Sequence, residues 1–411
     1  MKPARVRKGA RMSSGQEKRM TETMQKWDVA IVGGGMVGAA LASGLAAQGF
    51  QVTVLERQEP AEFVAESDPD IRISALGASS VDLLKQLGVW PRVQAMRCAP
   101  YRKLETWEWQ TAQVGFDAAS LGLPELGYMV ENSVLQSALW QQLQQQEVTL
   151  KSPAQLQTLE ACNGGWALTL ADGEKLHARL VVGADGANSQ VRQLAGIGIR
   201  GWNYAQSCML ISVRCEHDAG DCTWQHFTPD GPRAFLPLFD GWASLVWYDS
   251  PARIRQLQSM PMPQLAQEIK AHFPARLGRV TPVAAGSFPL VRRHATRYVL
   301  PGLALVGDAA HTINPLAGQG VNLGYRDVDA LIDTLVASRE RAEDWASERV
   351  LLRYHRSRYR DNLLMQSGMD LFYFAFSNQA APLRVLRNLG LMAAERSGVL
   401  KRQALRYALG L

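Results

Sequence analysis

The feature that most constrains this chain is Asp28-Val-Ala-Ile-Val-Gly33-Gly-Gly35-Met-Val-Gly38, an apolar strand that runs into a glycine turn and then into a helix of small residues. That order reads as the opening of a βαβ unit. Gly33 permits the tight turn, Gly35 lets the backbone approach a pyrophosphate, and Gly38 lets helix pack closely on strand. The phosphate then rests on the helix N-terminus. The next apolar run, Gln51-Val-Thr-Val-Leu55, reads as the second strand, and Glu56 at its end stands close to where an acid accepts from a ribose hydroxyl. An acid there favours a ribose without a 2′-phosphate.

A second glycine-punctuated segment, Leu303-Ala-Leu-Val-Gly307-Asp308-Ala-Ala-His-Thr-Ile-Asn-Pro315-Leu-Ala-Gly318-Gln-Gly320-Val-Asn322-Leu-Gly324, lies far along the chain. Asp308 ends a strand, where a carboxylate accepts hydrogen bonds from the hydroxyls of a sugar or sugar-alcohol chain. Pro315, Gly318 and Gly320 shape the entry to a helix expected to begin near Val321, whose N-terminus favours an anion. Asn322 has two readings, as a cap of that helix or as a contact to the ligand. Between the two segments, Leu180-Val-Val-Gly-Ala-Asp185-Gly186-Ala-Asn-Ser189-Gln-Val-Arg192 is a buried-strand run that ends in Asp-Gly before another helix start. The pattern points to one long ligand held at both ends by one domain.

With these three motifs in this order, the chain resembles the flavoprotein aromatic hydroxylases, the single-component FAD monooxygenases of the para-hydroxybenzoate hydroxylase type. The resemblance runs from Trp27 to nearly the last residue. It implies that Gly33, Gly35, Gly38 and Glu56 hold the ADP part of FAD. Asp185 and Gly186 serve FAD and a reduced pyridine nucleotide, and Gly307, Asp308, Pro315, Gly318, Gly320 and Asn322 take the ribityl chain and the isoalloxazine edge. Asp70-Ile-Arg72-Ile-Ser-Ala-Leu76, Gly127-Tyr-Met-Val-Glu-Asn132, Thr228-Pro-Asp-Gly-Pro-Arg-Ala-Phe-Leu-Pro-Leu238 and Gly302–Gly324 look like the ubiquinone-biosynthesis branch. Cys98–Trp109 and Gly390–Arg396 resemble one branch member most closely, which hydroxylates the last open ring carbon of a polyprenylated benzoquinol. Arg72 fits the family's Arg-x-Ser pattern and is expected to contact FAD. Asn132 departs from the family, because many relatives carry arginine or glutamine there, and an amide donates but carries no charge.

The implied fold is α/β, an FAD-binding Rossmann-like domain with an inserted antiparallel-sheet substrate domain and a helical C-terminus. Residues 1–26 read as a disordered basic tail, and 27–199 as the first part of the FAD domain with an excursion near 100–125. Residues 200–290 read as the substrate sheet, 291–340 as the second part of the FAD domain, and 341–411 as helical. At 411 residues and 47% hydrophobic content the chain can bury a full core. No apolar run reaches the roughly 18 residues that a spanning helix needs.

Charge is unevenly placed. Residues 1–26 hold eight Lys/Arg against two Glu, which equals the whole formal net charge of +6. Residues 351–411 carry ten Lys/Arg and three Asp/Glu, and Leu383, Leu386 and Leu389 stand at helical spacing beside Arg384 and Arg387. Such a region suits an anionic membrane surface or a complex of the pathway, or packs its leucines on the flavin domain. No nucleic-acid partner is expected. Five cysteines without paired spacing and without a secretion signal read as reduced thiols in a cytoplasmic protein, with the C-terminal region as the candidate for peripheral attachment to an inner membrane, and no metal-ligand spacing is present.

The mechanism implied by the resemblance uses NADPH or NADH to reduce FAD, O2 to form a C4a-hydroperoxyflavin, and an electron-rich quinol ring as the acceptor of oxygen. The cofactor carries that chemistry, so no catalytic side chain is assigned. His226 and Tyr248, on expected substrate-sheet strands, read as acceptors for a ring hydroxyl or as core. Trp107, Trp109, Trp224 and Trp247 read as pocket lining or as core. The absence of a second GxGxxG argues against the two-dinucleotide disulfide reductases. A non-redox escort for prenylated ligands is the rival from another class, and the presence of Asp308, Gly318 and Gly320 favours the enzyme.

Overall fold

A computed structural model describes residues 25–314, 318–377 and 381–410. Strand β1 (Gln25–Val32), helix α1 (Met36–Ala47) and strand β2 (Val52–Leu55) form the opening βαβ unit. The strand thus begins two residues ahead of Trp27, with Gln25 and Lys26 paired to Leu176 and His177. Helix α2 (Asn132–Gln145) lies against α1, and β3 (Lys175–Gly183) pairs in parallel with β1. Helix α3 (Gln190–Leu194) follows β3, and β4 (Leu303–Leu305) completes the parallel core beside it. The sheet runs in space Val299–Leu300, β4, β3, β1, β2, Thr149–Lys151, with an antiparallel pair at 156–170 attached to β3.

Alternation is lost in the C-terminal halves of β1 and β3, where both faces are covered. Val29, Ala30 and Ile31 of β1 and Leu180, Val181 and Val182 of β3 are all fully buried. Helix α4 (Gln319–Glu340) packs on α1, and α5 (Glu348–Phe376) packs on α4. Glycine sets how close α1 comes. A Cβ on Gly38 would lie 1.9 Å from the carbonyl oxygen of Gly33, and one on Gly44 would lie 2.3 Å from Ile332 of α4.

A second, eight-stranded sheet is built on two long antiparallel strands, Ile199–Cys215 and Val280–Ala295, so it extends slightly beyond 200–290 at both ends. It also takes in Lys103–Trp107 and Gln113–Asp117 from the early part of the chain, through parallel pairing of Lys103–Trp107 with Cys222–His226. Helices Pro251–Gln258 and Met262–His272 cover one face, where Trp107, Trp224 and Trp247 join Ile254, Leu257 and Leu265 in a core. Those three tryptophans are therefore sheet core. On another cluster of this sheet, Tyr204, Cys208, Tyr248 and Leu290 meet Tyr373 of α5. Helix α6 (Ala381–Arg396) and a final helix, Val399–Leu409, end the chain.

The close contact at Gly38 is directly checkable. Gly38→Val forces backbone apart from backbone, so it is expected to lower stability by on the order of 3 kcal/mol. Thermal denaturation measures this, and a melting temperature equal to the parent's would contradict the packing described.

Candidate cofactor site

The carboxyl ends of β2, β1, β3 and β4 stand side by side, and each carries one of the expected groups. In spatial order they are Glu56, the Gly33–Gly35 turn, Asp185-Gly186 and Gly307-Asp308. Three strand spacings separate the outer two, about 14 Å, so this edge suits one extended ligand.

The first turn is clamped. Gly33 has φ +106°, and a Cβ there would lie 2.4 Å from the Ala184 carbonyl oxygen. The Gly34 amide donates to Glu56 Oε2 at 2.6 Å, while its carbonyl accepts from Trp140 Nε1 at 2.7 Å and Gln136 Nε2 at 3.1 Å. Glu56 Oε1 accepts from the amides of Arg57 and Gln58. Glu56 thus buttresses the loop as well as standing where a ribose would lie, a role that its position in sequence does not show. A Cβ on Gly35 meets nothing within 4 Å, so that backbone borders open space.

Asp185 caps α3. Its Oδ2 accepts from Gln190 N at 2.6 Å and Val191 N at 3.1 Å, while Oδ1 is buried without a partner among the described residues. Gly186 has φ +77°, and nothing lies within 4 Å of its Cβ position. Ser189 Oγ accepts from Arg192 N, and the buried Arg192 guanidinium donates to Ala309 O at 2.8 Å and Ala187 O at 3.1 Å. Arg192 therefore ties the Asp-Gly motif to the Gly-Asp motif.

The Gly307–Ala309 turn is the junction of the molecule. Leu303–Leu305 belongs to the parallel sheet, while His311–Thr312 pairs with Arg293 and His294 of the second sheet. Gly307 has φ +57° and donates its amide to Asp327 Oδ2 at 3.0 Å. Asp327, fully buried on α4, also faces His311 Nε2 and accepts from Arg358 Nε at 2.8 Å and Asn362 Nδ2 at 3.1 Å. Burial alone raises a carboxyl, but His311 and Arg358 outweigh it and hold Asp327 down at about 2. None of Asp327, Arg358 and Asn362 was singled out from the sequence, and the last two lie on a different helix from the motif.

Asp308 points the other way. Its side chain is accessible, yet it stands in a recess enclosed by protein, and burial pushes its carboxyl up while His311 and Arg72 partly offset this. Arg72 is exposed, with its guanidinium 5.9 Å from the Phe288 ring centre. The structure therefore brings Arg72 and Asp308 together. Asn132 is tied to the same strand, since its Oδ1 accepts from Ser74 Oγ at 2.6 Å.

Helix α4 begins at Gln319, with Gly318 as its cap at φ +61°, so Asn322 lies inside the first turn and is not the cap. The Asn322 side chain is nearly fully buried and engaged with protein. Its Oδ1 accepts from Gly77 N at 2.9 Å and Ser80 Oγ at 2.6 Å, and its Nδ2 donates to Ala75 O at 2.8 Å and Gly318 O at 3.1 Å. Any contact of Asn322 to a ligand is therefore left to its backbone. Its carboxamide pins α4 to Ala75–Ser80, because four groups already fill its hydrogen-bonding capacity. Gly320 has open space at its Cβ position, and Pro315 lies outside the described residues.

Of the two expected ring acceptors, Tyr248 approaches this region, its hydroxyl 3.5 Å from Asn314 Oδ1. His226 stacks on Trp107 at 5.4 Å, within the other layer.

A family model described as an FAD binding domain matches residues 26–362. The chain belongs to the FAD-binding monooxygenase family. It is 70% identical to the 3-demethoxyubiquinol 3-hydroxylase of Escherichia coli (strain K12), over 95% of this chain and 100% of that protein. It is 39% identical to the ubiquinone hydroxylase UbiL of Rhodospirillum rubrum, over 93% of this chain and 89% of that one. Among solved structures, the p-nitrophenol 4-monooxygenase PnpA of Pseudomonas putida DLL-E4 superposes with a TM-score of 0.78, covering 94% of this chain and 99% of that one at 20% identity, which shows the shared fold.

The residues present fit FAD. The backbones of Gly35, Gly186 and Gly320 face open space, Asp185 Oδ1 lacks a partner among the described residues, and Asp308 is accessible within a recess.

Two substitutions separate binding from folding. Gly35→Val enters space that no described residue occupies, so stability of the FAD-free protein is expected to change by less than about 0.5 kcal/mol while flavin content falls sharply. Flavin absorbance after reconstitution reads this, and normal FAD stoichiometry would show that the loop is not used. Asp327→Ala leaves Arg358 with a buried charge short of one partner, so a loss on the order of 3 kcal/mol is expected at neutral pH. The folded-state value of Asp327 lies below its ordinary 3.8. Its stabilisation is therefore fully present above pH of about 4 and is lost as the pH falls towards about 2. The gap between parent and variant in thermal denaturation should close over that window, and a gap independent of pH would contradict the charged state assigned.

Proposed function

We propose that this protein hydroxylates the ring of a polyprenylated benzoquinol, demethoxyubiquinol, in ubiquinone biosynthesis, with NADPH or NADH as transient reductant and O2 as co-substrate. The observation that carries this reading is the 70% identity to the Escherichia coli 3-demethoxyubiquinol 3-hydroxylase along 95% of the chain. FAD, when bound, supplies the redox and oxygen-activating chemistry.

The chain's own residues bind, orient and shield. Gly33–Gly38 and Glu56 receive the nucleotide end, with α1 presenting its N-terminus to the pyrophosphate. Asp308 accepts from the ribityl hydroxyls, and Arg72 beside it adds positive charge at the redox end of the site. Arg192 and Asp327 fix the turn that carries Asp308. On the second sheet Tyr204, Tyr248 and Phe288 cluster near Asn314, and this packed aromatic surface keeps water from the reacting ring. Tyr204 donates to Asp370, which also pairs with Arg292 at 3.0 Å.

The test supplies purified protein with demethoxyubiquinol of short prenyl tail, NADPH or NADH, and isotopically heavy O2. A product heavier by one labelled oxygen at the open ring carbon is expected. Hydroxylation at another carbon would overturn the assignment in favour of a sister hydroxylase, and no yellow colour with no product would overturn the enzyme reading.

A further inference from the structure

Two helices carry an apolar surface that the site does not use. On α5, Leu364, Leu371 and Phe374 are 64%, 70% and 59% exposed and fall at the spacing of one helix face. On α6, Val385, Leu386 and Leu389 are 46%, 66% and 55% exposed. Solitary exposed leucines are ordinary on a protein surface, but six large apolar side chains on two touching helices form a patch. The helices are joined where Arg387 donates to Ala375 O at 2.7 Å, and α6 is anchored to the second sheet by Glu108, which bonds Arg384, Arg387 and Asn388.

The patch is bounded by positive charge. Arg356 and Arg360 continue the α5 face, Arg396 ends the α6 face, and all three are exposed. Residues 351–411 hold ten Lys/Arg against three Asp/Glu. A second copy meeting the same face would bring like charge to like charge, whereas an anionic lipid surface neutralises it. No helix among the described residues is long and apolar enough to cross a membrane.

The patch is also continuous with the interior. At its margin Phe227, Pro232, Phe372, Tyr373 and Phe376 line a small recess. Tyr373 packs edge-on against Tyr204 at 4.6 Å, and Tyr204 shares a cluster with Tyr248, which faces Asn314 close after the Gly307–Ala309 turn. A packed aromatic cluster thus links the exposed stripe to the second sheet beside Asn314.

We propose that the outward faces of α5 and α6 form a docking surface for an anionic phospholipid bilayer. The surface stands on the exposed side chains and their charge and does not depend on the quinol reading.

The experiment uses the purified flavoprotein and sedimenting vesicles that contain no quinol, either phosphatidylcholine alone or phosphatidylcholine and phosphatidylglycerol in equal parts. Binding to the mixed vesicles, release by salt and little binding to phosphatidylcholine are expected. Leu371→Ser/Phe374→Ser/Leu386→Ser is expected to weaken partitioning by roughly tenfold or more, with helix content and flavin content unchanged. Arg356→Gln/Arg360→Gln/Arg396→Gln is expected to remove the preference for the mixed vesicles. No sedimentation of the parent protein, or undiminished sedimentation of the serine variant, would overturn the proposal. So would an oligomer that the serine variant converts to monomer while neither form binds vesicles, since a second copy would then cover the face. Failure of the quinol reading shows separately, as absent hydroxylation in detergent.

Discussion

The buried Asp327 carboxylate is the constraint on which the Gly307–Ala309 turn depends. It is fully enclosed, and it holds the Gly307 amide, His311, Arg358 and Asn362 at once. A buried carboxylate without such partners would be costly, and with them it becomes a rigid node. The node joins three things that must keep register: the end of the parallel sheet, the start of the second sheet at His311–Thr312, and the helical layer of α4 and α5. Because the Gly307 amide is held by Asp327, the backbone that carries the accessible Asp308 is fixed.

What the sequence made legible follows from locality. The glycine motifs could be read because each demand is local: Gly33 needs a positive φ, Gly38 leaves no room for a Cβ, and Gly35 borders open space. The α/β fold with a second sheet and C-terminal helices was accessible for the same reason, since apolar runs and turn residues announce strands and helices one by one. The partners that make the motifs rigid were not accessible. Trp140 holding the Gly34 carbonyl, Arg192 reaching Ala309 and Arg358 reaching Asp327 are single hydrogen bonds between residues far apart in the chain. No spacing rule marks them. Asn322 shows the converse: beside a glycine turn it reads as a cap or a ligand contact, yet its four hydrogen bonds go to Ala75, Gly77, Ser80 and Gly318. The tryptophans behaved likewise, because aromatic residues on a sheet suit a pocket and a core equally until the covering helices are placed.

The two sheets divide the labour. The parallel sheet offers one edge of backbone amides and carboxylates, while the superposition at 20% identity over 94% of the chain shows that the fold as a whole is shared. The second sheet and the C-terminal helices supply the surface facing the turn, and there Tyr204, Tyr248, Phe288 and Tyr373 make an aromatic environment. The family match over residues 26–362 takes in both sheets.

If the Gly307–Asp308 turn receives the flavin, the most direct measurement is the FAD dissociation constant of Asp308→Ala at neutral pH, beside the parent protein. Asp308 is accessible and its side chain accepts no hydrogen bond from the described residues, so the variant should fold normally. Loss of a charged acceptor for the ribityl hydroxyls is expected to weaken FAD by about tenfold or more. An unchanged dissociation constant in a folded variant would contradict the placement of the flavin at this turn.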